Sequence, residues 1–294
     1  MADSTSIEWT EATWNPTTGC DRISPGCTHC YALNLAKRLK AMGQPKYQRD
    51  GDPRTSGPGF ALTMHEDALL EPLRWRRPRK VFVNSMSDIG HARVPEAFTA
   101  RIFATMALAQ QHQFQVLTKR PRHLRRLLES QKFVDMVWAE MERLSSDDTV
   151  PLPRLVRSGV RQRAAHWNAL SPWPLPNVWI GTSIESDEYC RRAVELRRTP
   201  AAIRFLSLEP MLGPVPSLDL TAIDWVIVGG ESGPQHRPLD LAWVRDIRDL
   251  CTDRRVALFF KQVGGPTPKA GGRLLDGRTW SQYPTTAATE AAGA

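Results

Sequence analysis

The sequence predicts an α/β protein, built as a full or partial parallel (β/α) barrel with a helical insertion. Three observations predict it. Short apolar runs recur and place parallel strands near residues 81–84, 114–118, 178–182, 204–208, 225–229 and 257–261. Each run is continuous rather than alternating, the pattern of strands buried on both faces of a parallel sheet. Amphipathic stretches such as 95–111 and 241–251 lie between them, and strand alternating with helix builds right-handed βαβ units. Every run also ends in polar or charged residues, and parallel barrels carry their active sites at the C-terminal strand ends.

Length and composition agree with that class. A chain of 294 residues can bury a core of barrel size. No apolar run approaches a membrane span, and Met1-Ala-Asp-Ser-Thr-Ser6 lacks the basic and apolar regions of a signal peptide. A cytoplasmic protein without membrane attachment is therefore expected. In that compartment thiols stay reduced, so clustered cysteines indicate metal binding or catalysis. The net charge of +8 favours a polyanionic partner.

Taken in order, residues 7–15 read as a first strand that feeds the segment Cys20-Asp-Arg-Ile-Ser-Pro-Gly-Cys27-Thr-His-Cys30-Tyr31. Three of the five cysteines fall within these eleven positions from Cys20 to Cys30, in a loop held by Gly19, Pro25 and Gly26. Residues 32–39 read as a helix start, whose unpaired amides favour thiolate in the loop. Three thiolates fall short of a structural zinc shell unless His29 supplies the fourth ligand. A cubane iron–sulfur cluster can take three and leave one iron open. Buried structural cysteines are a third reading, for which a polar loop is a poor setting.

Residues 44–59 read as loop, 60–64 as a short apolar run, 65–67 as a helix start and 74–80 as a basic turn. The basic runs 74–80 and 122–126 are either solvated faces or phosphate contacts. The segment 131–176 is too long for one crossover helix and reads as the insertion, with a helix over 133–144, an acidic turn at Asp147 and Asp148, and a basic stretch over 154–163. After Lys261 comes a non-helical tail segment, 264–284, carrying Arg273 and Arg278, and 285–294 has the low complexity of a disordered tail. One domain over 1–284 is expected.

The strand ends supply the candidate site residues. Asn84, Ser85, Ser87 and Asp88 follow one strand, and Thr182, Ser183 and Glu185 follow another. Hydroxyls and carboxylates there can bind a ligand or cap the next helix. Lys119, Arg120, Glu209 and Lys261 are charges ending apolar strands, costly unless paired or used. They form either an ion-pair ring or a pocket for an anionic substrate. Gly229 and Gly230 allow close approach of a ligand or of another backbone, which makes Glu231 a candidate substrate contact.

Eight segments carry a family resemblance: Thr13-Trp-Asn-Pro-Thr-Thr-Gly-Cys20, Cys27-Thr-His-Cys-Tyr31, Val83-Asn-Ser-Met-Ser-Asp88, Leu117-Thr-Lys-Arg-Pro121, Asn177-Val-Trp-Ile-Gly181, Leu206-Ser-Leu-Glu-Pro210, Val228-Gly-Gly-Glu-Ser-Gly233 and Phe260-Lys-Gln262. With the tail segment 271–280 they resemble the phage-associated three-cysteine-motif family over about residues 7–284. That family is in turn similar to radical S-adenosylmethionine (SAM) enzymes, which use a partial barrel and three cysteines after the first strand. Six residues separate Cys20 from Cys27, where three is commonest in radical SAM enzymes.

The resemblance implies a [4Fe–4S] cluster on Cys20, Cys27 and Cys30, with SAM chelated at the open iron and cleaved to a 5′-deoxyadenosyl radical. It implies cofactor contacts from Asn84 and Ser85 near the cluster and from Ser183 and Glu185 at the ribose. Lys119, Glu209, Glu231 and Lys261 are then the candidate catalytic residues. A nucleic acid or nucleotide-like substrate to be modified or repaired, an external electron donor and a separate partner protein are expected. The competing expectations are a non-catalytic zinc or iron–sulfur nucleic-acid-binding protein, and a cluster-bearing subunit that works only with a partner.

Overall fold

The apolar runs are strands in the structure, a computed structural model that describes residues 5–150, 154–170, 172–267 and 269–285. In chain order the elements begin with β1 (Ala12–Trp14), β2 (Thr17–Thr18), α1 (Tyr31–Ala41), β3 (Thr63–Met64) and β4 (Lys80–Val83). Next come α2 (Glu96–Leu108), β5 (Gln113–Thr118), α3 (Pro121–Leu128), α4 (Gln131–Ser146) and α5 (Arg154–Leu170). The last are β6 (Val178–Ser183), α6 (Arg191–Arg198), β7 (Ile203–Leu208), β8 (Trp225–Gly229), α7 (Leu241–Arg254) and β9 (Ala257–Gln262). Seven strands form one sheet in the order β1-β4-β5-β6-β7-β8-β9, with β2 and β3 paired separately. The pairs β1–β4, β4–β5, β7–β8 and β8–β9 are parallel, with a register shift between Val228 and Gly229 in the last. Parallel strands in sequential order, joined by helices except between β7 and β8, where residues 209–224 cross over without one, are the topology of a partial barrel. Every residue of β6 and β8 is buried, which is why these runs lack alternation.

By contact density the chain divides into two compact units. Met1–Ile180 with Arg198–Ala202 forms the first, and Gly181–Arg197 with Ile203–Ala294 the second.

In the first unit the opening strand is shorter than its sequence pattern. Residues 7–15 were expected, but only Ala12–Trp14 pairs with β4. The residues before it are tied to the start of β4 by other means. Lys80 donates its backbone N–H to Glu11 Oε2 at 2.7 Å, and Thr10 Oγ1 donates to the Lys80 carbonyl at 3.0 Å. The helix start expected at 65–67 is a single 3₁₀ turn, Glu66–Ala68. Within 131–176, α4 covers the helix expected over 133–144 and α5 covers the basic stretch. Helix α4 packs on α2, with Phe133 meeting Phe103 edge-on at 5.6 Å between ring centres. The acidic turn and the basic stretch answer one another, since Arg161 pairs with Asp148 at 2.7 Å and Arg157 Nη1 donates to the Asp147 carbonyl at 2.6 Å. Part of the basic surplus is therefore used inside this unit.

In the second unit the tail segment closes the outer edge of β9. Phe260 N–H donates to the Trp280 carbonyl at 2.9 Å, Gln282 N–H to the Leu258 carbonyl at 3.0 Å, and Trp225 Nε1 to the Gln282 carbonyl at 2.9 Å. An open strand edge is an aggregation hazard, and this segment covers it. The tail expected to be disordered lies outside the described residues beyond Thr285. Among the described residues no helix is long and apolar enough to cross a membrane.

Candidate functional site

The cysteine loop belongs to the first unit and starts where β1 ends. Asn15 Oδ1 accepts from Met86 N–H at 2.9 Å, Thr17 Oγ1 meets Ser87 Oγ at 2.7 Å, and Gly19 N–H donates to the Met86 carbonyl at 2.9 Å. The chain after β1 is thus laced to the chain after β4. Gly19 then turns the backbone at φ 84°, and a β-carbon there would stand 2.1 Å from the Ala61 carbonyl oxygen. No side chain fits that contact. Gly19→Ala is expected to cost about 1–3 kcal/mol from the left-handed backbone alone, read as a lower denaturant midpoint at unchanged slope. An unchanged midpoint would show that the loop enters by another path.

Asp21, next to Cys20, anchors the loop. Its carboxylate accepts from Thr55 at 2.7 Å, lies 2.9 Å from His91 Nε2 and pairs with Arg93 at 2.7 Å. Burial raises the Asp21 pKa, but the hydrogen bonds from Thr55 and His91 and the charge of Arg93 outweigh it, leaving it lowered to about 2. A 3₁₀ turn, Pro25–Cys27, carries the second cysteine, and Cys30 occupies the position just before α1.

The three thiols are free and partly exposed. Cys20 and Cys30 pack against one apolar patch made of Ala32, Ala36, Phe60 and Met86. Cys27 is within electrostatic reach of both. Arg120 Nη1 donates to Cys20 Sγ at 3.4 Å, while Cys27 Sγ lies 3.6 Å from Ser24 Oγ, which also accepts from Lys119 Nζ at 3.3 Å. Burial pushes the Cys20 thiol up to about 12, with the Asp88 carboxylate adding to it. Burial also raises Cys30. At Cys27 burial acts upward too, but the Lys119 charge and hydrogen bonds at Ile23 and Ser24 prevail and lower it.

Among the described residues no group of three or more His, Cys, Asp or Glu side chains stands at the spacing of a single-ion shell. The donor chemistry nonetheless suits a cluster. Three soft sulfurs on one loop can each take a different iron, and such ligands stand further apart than those of one zinc ion.

Asn84 and Ser85 follow β4 beside this loop. No helix begins there, since α2 starts at Glu96, so the capping alternative falls away for both. The Ser85 carbonyl accepts from the Tyr31 hydroxyl at 2.5 Å, and its Oγ meets the Asn15 side chain. Asn84 is 2% exposed, has φ 61°, and neither atom of its side-chain amide has a hydrogen-bond partner. A buried amide without partners in a left-handed conformation carries two costs at once.

The remaining candidates lie in the second unit, where their charges are paired. Glu185 is fully buried and accepts from Arg192 Nη1 at 2.8 Å, and that same nitrogen donates to the Ser183 carbonyl at 2.8 Å. Glu231 takes Arg237 through both oxygens, at 2.6 Å to Nη2 and 3.0 Å to Nε. Lys261 Nζ pairs with Glu209. Gly229 and Gly230 face protein rather than open space: a β-carbon on Gly230 would stand 1.9 Å from the Val263 carbonyl oxygen, and one on Gly229 3.1 Å from the Glu209 side chain. Ser186 precedes the 3₁₀ turn Asp187–Cys190 without a side-chain cap bond. A cavity of about 720 Å³ opens at the opposite, N-terminal ends of β8 and β9, lined by Arg254, Arg255, Arg278 and Trp280, and holds none of these residues.

Sequence reasoning did not single out Asp21, His91, Arg192 or Arg237. His91 and Asp21 are 70 positions apart, and nothing local to either announces the pairing. Comparison with known proteins returns no matching curated protein and no matching solved structure. A family profile described as "Protein of unknown function (DUF5131)" matches residues 4–284. With nearly the whole chain matched, the protein belongs to the DUF5131 family.

Proposed function

We propose that this is an iron–sulfur enzyme that uses S-adenosylmethionine, with a [4Fe–4S] cluster held by Cys20, Cys27 and Cys30. The observation that supports the reading is the gathering of three free thiols on one loop beside a buried Asn84 without side-chain partners. Cys20, Cys27 and Cys30 would hold such a cluster as thiolates, and it would supply the electron for reductive cleavage of SAM.

The chain's own residues do the rest. The apolar patch under Cys20 and Cys30 keeps water from two of the sulfurs. The Asn84 amide offers one donor and one acceptor edge to the amino-acid end of the cofactor, and Ser85 is held beside it by Tyr31 and Asn15. Lys119, near Cys27, brings a positive charge for an anionic group. In the second unit the partly exposed Lys261–Glu209 pair can exchange its partner for a substrate phosphate or carboxylate. Glu231 is the further substrate candidate, reached through Arg237. Ser183 and Glu185 are the ribose candidates of this reading, Glu185 only if Arg192 releases its carboxylate. The net charge of +8 supports a nucleic acid or nucleotide-like substrate, and an external electron donor and a partner protein complete the reading.

Anaerobically reconstituted protein, reduced with dithionite, should form 5′-deoxyadenosine from SAM without added substrate. Asn84→Gly should weaken SAM binding by about 1–3 kcal/mol, the worth of hydrogen bonds to a buried group. The same change should raise unfolding stability, because it removes the left-handed strain and the unpaired amide. Isothermal titration showing no SAM binding to clustered protein would refute the SAM reading, and stoichiometric zinc in a colourless protein would refute the cluster.

A further inference from the structure

Arg120 and Asp88 form an ion pair that stands directly against one of the three cysteines. We propose that this pair sets the reduction potential of the iron–sulfur group, with Arg120 raising it and Asp88 lowering it. The inference rests on the iron–sulfur reading above.

The contacts are specific and asymmetric. Arg120 Nη1 donates to Cys20 Sγ at 3.4 Å and to Asp88 Oδ2 at 2.8 Å, while its Nη2 donates to the Asp21 carbonyl at 2.9 Å. The Cys20 sulfur accepts from the guanidinium of a charged side chain. The Arg120 side chain is 16% exposed and that of Asp88 7%, so water screens neither charge well.

Both partners are also held in place. Asp88 Oδ1 accepts from Thr118 Oγ1 at 2.5 Å and from Gly90 N–H at 2.9 Å, and its Oδ2 from Lys119 N–H at 3.1 Å. The Arg120 N–H donates to Thr118 Oγ1 at 2.9 Å, and Pro121 starts α3 immediately afterwards. A side chain fixed by its backbone, its partner and a carbonyl keeps its hydrogen bond to sulfur in one geometry.

The sign follows from charge. Adding an electron makes the group more negative, so a cation donating N–H to a sulfur ligand stabilises the reduced form. A carboxylate close by stabilises the oxidised form. In the pair the two influences oppose each other, and removing one leaves the other exposed. Arg120 and Asp88 are thus positioning residues that act through Cys20.

The test is a redox titration of the reconstituted full-length protein, followed by electron paramagnetic resonance of the reduced cluster. Arg120→Gln should lower the reduced-to-oxidised ratio at a fixed potential at least tenfold, a downward shift of about 59 mV for one electron. Asp88→Asn should move the ratio at least tenfold the other way. Arg120→Lys keeps the charge without the planar fork and should fall between wild type and Arg120→Gln. A merely structural pair would loosen the loop in all variants and shift them in one direction or not at all, and either result overturns the inference. If Arg120→Gln fails to retain iron, the opposite signs of Asp88→Asn and Arg120→Lys decide it. Wild-type protein that takes up no iron sinks the iron–sulfur reading and this inference with it, whereas unmoved potentials in clustered variants sink this inference alone.

Discussion

Alanine at any one of Cys20, Cys27 or Cys30 is expected to abolish the brown colour of the anaerobic protein and its iron, about four atoms per chain for a cubane cluster. A three-cysteine cluster already leaves one iron without a protein ligand, so losing a second attachment leaves it held at two corners. The other two cysteines are internal controls. Cys251 is 1% exposed and burial pushes its thiol up to about 12, while Cys190 is 8% exposed and raised by burial to about 11. Thiols of that kind are inert core groups, so Cys190→Ala and Cys251→Ala should keep full iron content. Iron analysis with the visible spectrum checks all five variants. Iron retained in Cys27→Ala would remove the loop from consideration as the ligand set.

Glu185→Ala is expected to destabilise the protein by about 3–5 kcal/mol, the cost of leaving one partner of a buried ion pair alone. Glu185 is fully buried and the Arg192 side chain is 8% exposed, so the orphaned guanidinium could recover little hydration. Arg192 is also fixed over the Tyr189 ring, 4.3 Å from its centre, and by the Ser183 carbonyl. Glu231→Ala should cost less, because the Arg237 side chain is 33% exposed and can turn to water. Denaturant titration of both variants measures the difference. A Glu185→Ala protein as stable as wild type would mean that the carboxylate is not committed to Arg192 and is available to a ligand.

The same residues mark how far the sequence could be read. The strands were legible because burial on both faces writes itself into consecutive residues, and β5, β6, β7 and β9 end within one residue of the expected positions. The cysteine loop was legible for a similar reason: its three sulfurs are close in the chain, and spacing alone limits how far apart they can lie. The short β1 was not, because 7–11 carry a strand-like pattern but meet the start of β4 at Lys80, through the Glu11 N–H and the side chains of Thr10 and Glu11, instead of along a ladder.

By itself, then, the sequence determined the α/β class, the strand positions and the thiol-bearing loop, all of which depend on neighbours within a few residues. The tertiary structure decided which charges meet. Arg120 reaches Cys20 across 100 positions, and His91 reaches Asp21 across 70. It also decided that Glu185, Glu209 and Glu231 spend their charge on Arg192, Lys261 and Arg237. Hydrogen bonds and ion pairs are strong only below about 4 Å and only in a fixed orientation. Such distances between remote residues are set by how the strands and crossovers return the chain, and no local pattern records them.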